Sequence, residues 1–203
     1  MIKVEVIFKS LSALTIAGGS KVGAVDVPFN ELGIPPSSVK GALRTAVSRY
    51  TPSNFTACSE VNPDMMRSKH ASGPCDVCKL FGYPGSGESC FYVEVEGVQL
   101  EKYLLTRVAI EDKTQKAKEG SLFTQEVLRP GFQFKATLNY TCEDPRLFKL
   151  LLYSLLSLRL WRFGRNGMVD LKVTNPEQIC KSTSCDNELK TVLSSLSNFL
   201  WGD

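Results

Sequence analysis

Residues 35–50 read Pro35-Pro36-Ser37-Ser38-Val39-Lys40-Gly41-Ala42-Leu43-Arg44-Thr45-Ala46-Val47-Ser48-Arg49-Tyr50, and the rest of the chain is organised around this run. The two prolines stop any regular element arriving from upstream. Ser37 or Ser38 can then cap a helix running to about Tyr50, with Val39, Leu43, Ala46 and Val47 as its buried stripe. Upstream, Lys3 to Lys9 alternates Val4, Val6 and Phe8 against Lys3, Glu5 and Ile7, the pattern of a half-buried strand. Downstream, Cys90 to Val98 alternates as a second strand and Phe132 to Tyr140 as a further one. Asp144-Pro145 is a helix start, an N-cap followed by proline at the first helical position, and that helix runs to about Leu160. Arg162 to Gly167 reads as a loop and Met168 to Val173 as a last strand.

Strand, helix, strand, strand, helix, strand is the order of a split βαβ unit, which predicts an α+β, ferredoxin-like (RRM-like) βαββαβ core. Three segments lie outside it. Leu104 to Ile110 and Leu122 to Val127 read as the arms of a hairpin (104–127), whose charged tip from Glu111 to Gly120 is too polar to bury and projects. Ile110 and Leu122 are expected to pack its base. Residues 51–87 form a cysteine-rich insertion, and the tail 174–203 carries an amphipathic helix from Asn187 to Leu200.

The chain has 203 residues, 43% apolar and 22% charged, enough for one domain and too greasy for wholesale disorder. No run approaches the roughly 18–20 apolar residues of a bilayer span. Met1-Ile2-Lys3-Val4-Glu5-Val6 does not resemble a secretory signal, so a soluble cytoplasmic protein is expected. The net charge of +3 is slight, but its distribution is uneven. Leu32 to Ser59 has no acidic residue while carrying Lys40, Arg44 and Arg49; Arg159, Arg162, Arg165 and Lys172 form a second basic cluster. Local basic patches on a near-neutral body suit phosphate binding at chosen places, and equally suit solvated helix faces.

Seven cysteines is an odd number, which argues against a complete disulfide framework; Cys142, Cys180 and Cys185 read as core or surface thiols. Cys75-Asp76-Val77-Cys78 is a CxxC with His70, the single histidine, five residues before it and Cys58 a further twelve before that. Four soft or borderline ligands in a segment with little apolar content suit a structural tetrahedral Zn²⁺. Cys90 is the alternative to Cys58 as fourth ligand, and a redox CxxC or ordinary thiols are the competing readings. Ala17-Gly18-Gly19-Ser20-Lys21-Val22-Gly23 is a loop whose glycines permit close backbone approach to a ligand. Lys40 and Arg44, four apart on one helical face, can both reach phosphates. Ser37 and Ser38 stand at the helix start, where a hydroxyl either caps the helix or donates to a phosphate beside the free amides.

Gly18-Gly19-Ser20, then Gly23-Ala24-Val25-Asp26, then Ile34-Pro35-Pro36-Ser37-Ser38-Val39-Lys40-Gly41-Ala42-Leu43-Arg44 resembles the RAMP superfamily of CRISPR-associated proteins. It is similar in particular to the repeated backbone subunit of type III (Csm/Cmr) effector complexes. Thr106 to Ile110, Ala117 to Phe123 and Glu126 resemble the family's thumb hairpin, and Cys75 to Gly82 (CDVCKLFG) its zinc-ligand segment. The loop from Phe163 to Val169 is shorter than the glycine-rich one usual there, although Arg165 and two glycines still suit a phosphate. The resemblance implies a single RAMP domain over 1–203 that grips a CRISPR RNA through its helix and glycine loops. Copies would stack along that guide as a helical filament with other type III subunits and target RNA, with no membrane. The thumb would push between guide and target, with Arg107 either on RNA or paired with Glu126.

Asp26 occupies the position at which this family cuts target RNA; from spacing alone it is a loop aspartate capping a turn. With His70 given to zinc, one carboxylate plus Mg²⁺ or Mn²⁺ is the chemistry left, giving slow cleavage to a 2′,3′-cyclic phosphate and a 5′-hydroxyl. The competing functions are a non-catalytic crRNA-binding scaffold in the same complex and a zinc-stabilised protein that does not bind RNA.

Overall fold

The computed structural model describes residues 1–19, 23–165, 167–183 and 185–202. Strand β1 (Ile2–Ser10) buries Val4, Val6, Phe8 and Ser10 and turns Lys3 and Glu5 outward. It lies between two antiparallel partners, β5 (Gln133–Tyr140) and β7 (Gly167–Val173). In register, Val4 faces Leu138, Val6 faces both Ala136 and Val173, and Phe8 faces both Phe134 and Leu171, so one sheet face is continuously apolar. Strand β2 (Phe91–Val95) pairs outside β5, and the two-residue β6 (Arg162–Phe163) pairs outside β7, completing the order β2-β5-β1-β7-β6. The fold is mixed α+β, built on this antiparallel sheet.

Helix α1 (Pro36–Arg49) buries Val39, Leu43, Ala46 and Val47 and connects β1 to β2; both strands run antiparallel to the β5 between them. Helix α4 (Pro145–Leu158) connects β5 to the β6–β7 pair and packs against α1 over the apolar face, buried on most sides. The Asp144 side chain accepts from the amides of Arg146 and Leu147, the expected cap. At the other helix the expectation fails. Pro35 is the N-cap residue of α1, Pro36 opens it, and neither Ser37 nor Ser38 caps it through its side chain. Proline's fixed φ preorganises the first turn and carries no amide needing a cap.

Strands β3 (Lys102–Arg107) and β4 (Phe123–Leu128) form a separate antiparallel hairpin, with residues 108–120 exposed. Ile110 and Leu122 are exposed too, at 53% and 68%, so they do not pack the hairpin's base as expected; that base is held by Val127 and Leu128. In the insertion, α2 (Pro63–Lys69) and α3 (Asp76–Phe81) are short helices. The tail has two helices rather than one, α5 (Pro176–Ser182) and α6 (Asn187–Leu196). No helix among the described residues is long and apolar enough to cross a membrane.

Candidate nucleic-acid interface and metal centre

The chain leaving β1 folds back along β4. Leu14 bridges Leu128, Val27 bridges Gln125, and Ala17 bridges Phe29 across the loop. The Thr15 hydroxyl donates to the Glu126 carbonyl at 2.8 Å, and the Glu126 carboxylate accepts the Phe29 amide at 2.8 Å. Gly18 sits where a Cβ would come within 2.7 Å of the Asn30 Cα, so only glycine fits. Gly18, Gly19, Phe29, Lys102 and Glu126 line a cleft of about 660 Å³. Ser20 and Lys21, the other residues expected of this loop, lie outside the described residues.

Asp26 is half-buried at the edge of this loop. Its amide donates to the Thr124 carbonyl at 3.0 Å, and its Oδ2 accepts the Thr124 amide at 2.9 Å. The Thr124 hydroxyl closes the turn on the Ala24 carbonyl at 2.7 Å. Asp26 is therefore pinned to the start of strand β4, and Thr124, which pins it, carried no signal in the sequence. Among the described residues, Asp26 belongs to no group of three acidic or metal-ligating side chains.

Arg165 reaches the same loop from the other side. Its amide donates to the Thr15 carbonyl at 2.7 Å, and the residue is exposed. Gly164 beside it has φ +60°, and a Cβ there would lie 2.2 Å from the Thr15 oxygen. Ser37 is exposed and Ser38 half-buried. Arg107 stands opposite Phe123, three places along the ladder from Glu126; the Glu126 carboxylate instead serves Phe29 and Lys102, so the expected Arg107–Glu126 pair is not formed. The Arg107 Nε is buried with no hydrogen-bond partner. Arg159 and Lys172 leave the expected basic cluster: Arg159 is buried, and the Lys172 amine lies 4.7 Å from the Phe199 ring centroid.

Lys40 and Arg44 share a face of α1, but that face looks into the protein. The Lys40 amine donates to the Ser89 hydroxyl and, at 3.0 Å, to the Phe91 carbonyl; burial, then Arg44, pushes its pKa down. Arg44 points at the insertion, where Cys58, His70, Cys75 and Cys78 place their ligand atoms within 4.8 Å of one another.

Cys58 Sγ and Cys78 Sγ are 3.6 Å apart, against about 3.8 Å for two thiolates on a tetrahedral zinc with Zn–S of about 2.3 Å. Both ring nitrogens of His70 are buried without a hydrogen-bond partner, and a metal ion bound at one of them would satisfy that one. The Cys78 hydrogen bond holds the Cys75 thiol down at about 4 against its burial, and the same bond pushes Cys78 up. Donor set, spacing and orphaned imidazole all fit a metal. Cys90 is not the alternative ligand: it is bonded to Cys142, and Cys180 is bonded to Cys185, so Cys142, Cys180 and Cys185 are not the free thiols expected of them. Strand pairing brings the first bridge within reach: Phe91 pairs with Tyr140, the Thr141 amide donates to the Cys90 carbonyl at 2.9 Å, and Cys142 is the next residue.

Asp76, the residue after Cys75, ties the insertion to α4. Arg146 donates to Oδ1 at 2.8 Å and to Oδ2 at 3.0 Å, and the Thr56 amide and hydroxyl each donate to Oδ2 at 2.9 Å. Burial pushes the Asp76 carboxyl up, but the Arg146 and Thr56 hydrogen bonds outweigh it and leave it below its ordinary value. The stabilisation it provides is complete above the unfolded carboxylate pKa of about 3.9 and is lost as pH falls through the lower folded value. Stability below about pH 4 therefore falls more steeply in the wild type than in Asp76→Asn, as urea midpoints across that range will show. Parallel curves would count against this assignment.

A glycine loop, a projecting hairpin and the exposed Arg165 thus meet beside an arm whose Cys58, His70, Cys75 and Cys78 could hold a metal ion. The chain belongs to the RAMP superfamily, whose family model matches residues 7–201, and is thus a CRISPR-associated RNA-binding protein. No curated protein matches it.

Proposed function

We propose that this chain is the CRISPR RNA-binding backbone subunit of a type III interference complex, and that it cuts target RNA with Asp26. Copies stack along the guide as a helical filament with other type III subunits. The split order β7-β1-β5-β2, with α1 and α4 as the two crossovers, supports a ferredoxin-like core for this role. The observation that carries the nuclease reading is the bond between the Asp26 carboxylate and the Thr124 amide. The hairpin that separates guide from target and the carboxylate beside the glycine loop are held as one piece. A hairpin driven into a duplex splays a nucleotide, and a splayed ribose brings its 2′-oxygen into line with the adjacent phosphorus. Asp26 then faces the strained linkage; a Mg²⁺ or Mn²⁺ ion held there would neutralise phosphate charge.

Asp26→Asn is the decisive variant, because the amide oxygen still accepts from Thr124 while the charge is gone. In the assembled complex, target cleavage drops about 10²–10³-fold while target binding and metal content stay unchanged. Unchanged cleavage would leave the scaffold reading, which draws on Asp26 belonging, among the described residues, to no group of three acidic or metal-ligating side chains.

A further inference from the structure

We infer that Arg44 is the charge partner of the Cys58–His70–Cys75–Cys78 centre rather than a ligand of RNA phosphate. Its NH2 lies 3.1 Å from Cys78 Sγ and 3.4 Å from Met66 Sδ, and its NH1 donates to the Gly82 carbonyl at 2.8 Å. One guanidinium thus touches a metal-ligating sulfur, the apolar side of α2 and the residue that ends α3. The physical need is plain. A divalent cation on three thiolates and a neutral imidazole carries a net charge of −1, and Cys78 and His70 are buried. A buried charge is costly unless it is paired and hydrogen-bonded, and the Arg44 fork supplies both a countercharge and an N–H···S bond. Outer donors of this kind orient metal ligands and tune the centre.

Lys40 does not serve the same purpose, since its amine is spent on Ser89 and Phe91. Helix α1 therefore meets the insertion through Arg44, and the centre is partly built on the core helix rather than on its own loop.

The inference rests on the centre holding a metal. Only its second arm uses the RNA-binding reading, so the two can fail separately. In the full chain loaded with zinc, Arg44→Met speeds metal release to a chelating dye about ten- to hundredfold. Arg44→Lys, which keeps charge but not the fork, gives a smaller increase and serves if the methionine variant does not fold. With Co²⁺ in place of zinc, the sulfur-to-metal charge-transfer band shifts in both. The salt dependence of single-stranded RNA binding is the same in variants and wild type. Release unchanged in both variants overturns the inference, all the more so if the slope of log K against log salt falls by about 0.7, the loss of one phosphate contact.

Discussion

Stripping the metal with a chelator, or replacing Cys78 by serine, lowers the melting temperature by roughly 8–16 °C. A ligand present at about a thousandfold over its Kd stabilises the folded state by about 4 kcal/mol, and each kcal/mol is worth about 2–4 °C in a chain of this length. The effect is large because the segment has little else to hold it. Between Thr56 and Cys75 the only buried side chains are Met66 and His70, and His70 is one of the four side chains that could hold the metal. Helix α3 is better anchored: Val77, Leu80 and Phe81 belong to the core, and Asp76 is clamped by Arg146. Loss of metal therefore opens residues 58–75 to hydrogen exchange while amides of α3 and β1 stay protected. Acid does the same work, since every ligand must be deprotonated to bind. Equal protection with and without metal would show that the centre is not what orders the arm.

Much of this was legible before any coordinates. The alternation in Lys3 to Lys9, the stripe Val39, Leu43, Ala46 and Val47, and the Asp144-Pro145 start are local signals tied to strand or helix periodicity, and each is met in the structure. The cluster of Cys58, His70, Cys75 and Cys78, which could hold a metal ion, was legible for another reason, namely that soft donors gather in a segment too polar to bury. What escaped depends on neighbours distant in sequence. Lys40 and Arg44 share a helical face by spacing, but spacing does not say that α3 and β2 cover it. Cys142 looked like a lone thiol until the β2–β5 register brought it to Cys90. Ile110 and Leu122 looked like packing residues, yet both are exposed on the hairpin. Asp26 is intermediate: its position was readable, but its bond to Thr124, 98 residues on, was not.

Arg159 is the clearest such case, and the second large effect concerns it. By composition it joined a basic cluster, but it is 3% exposed, its Nε lying 3.2 Å from Oδ1 of the fully buried Asp170. Its guanidinium donates to the carbonyls of Leu171 on β7, of Ser195 at 2.7 Å and of Asn198, while Asp170 Oδ2 accepts the Trp201 amide at 2.7 Å. The pair thus joins the end of α4 to β7 and to the chain after α6. Arg159→Met leaves Asp170 buried without its countercharge, and removing one partner of such a pair costs about 3–5 kcal/mol. Adding Asp170→Leu removes the stranded charge, so the double variant is more stable than Arg159→Met alone. It stays below the wild type because the Ser195 and Asn198 carbonyls have lost their donor. Urea unfolding of the wild type, Arg159→Met, Asp170→Leu and the double variant measures the cycle, and a loss under about 1 kcal/mol for Arg159→Met would mean that the pair is wet. The same variant frees the tail. Lys9 and Lys172 still flank Phe199, but cation–π contacts at an exposed site are worth only about 0.5–1 kcal/mol each, too little to hold the chain after α6 once its buried clasp is gone.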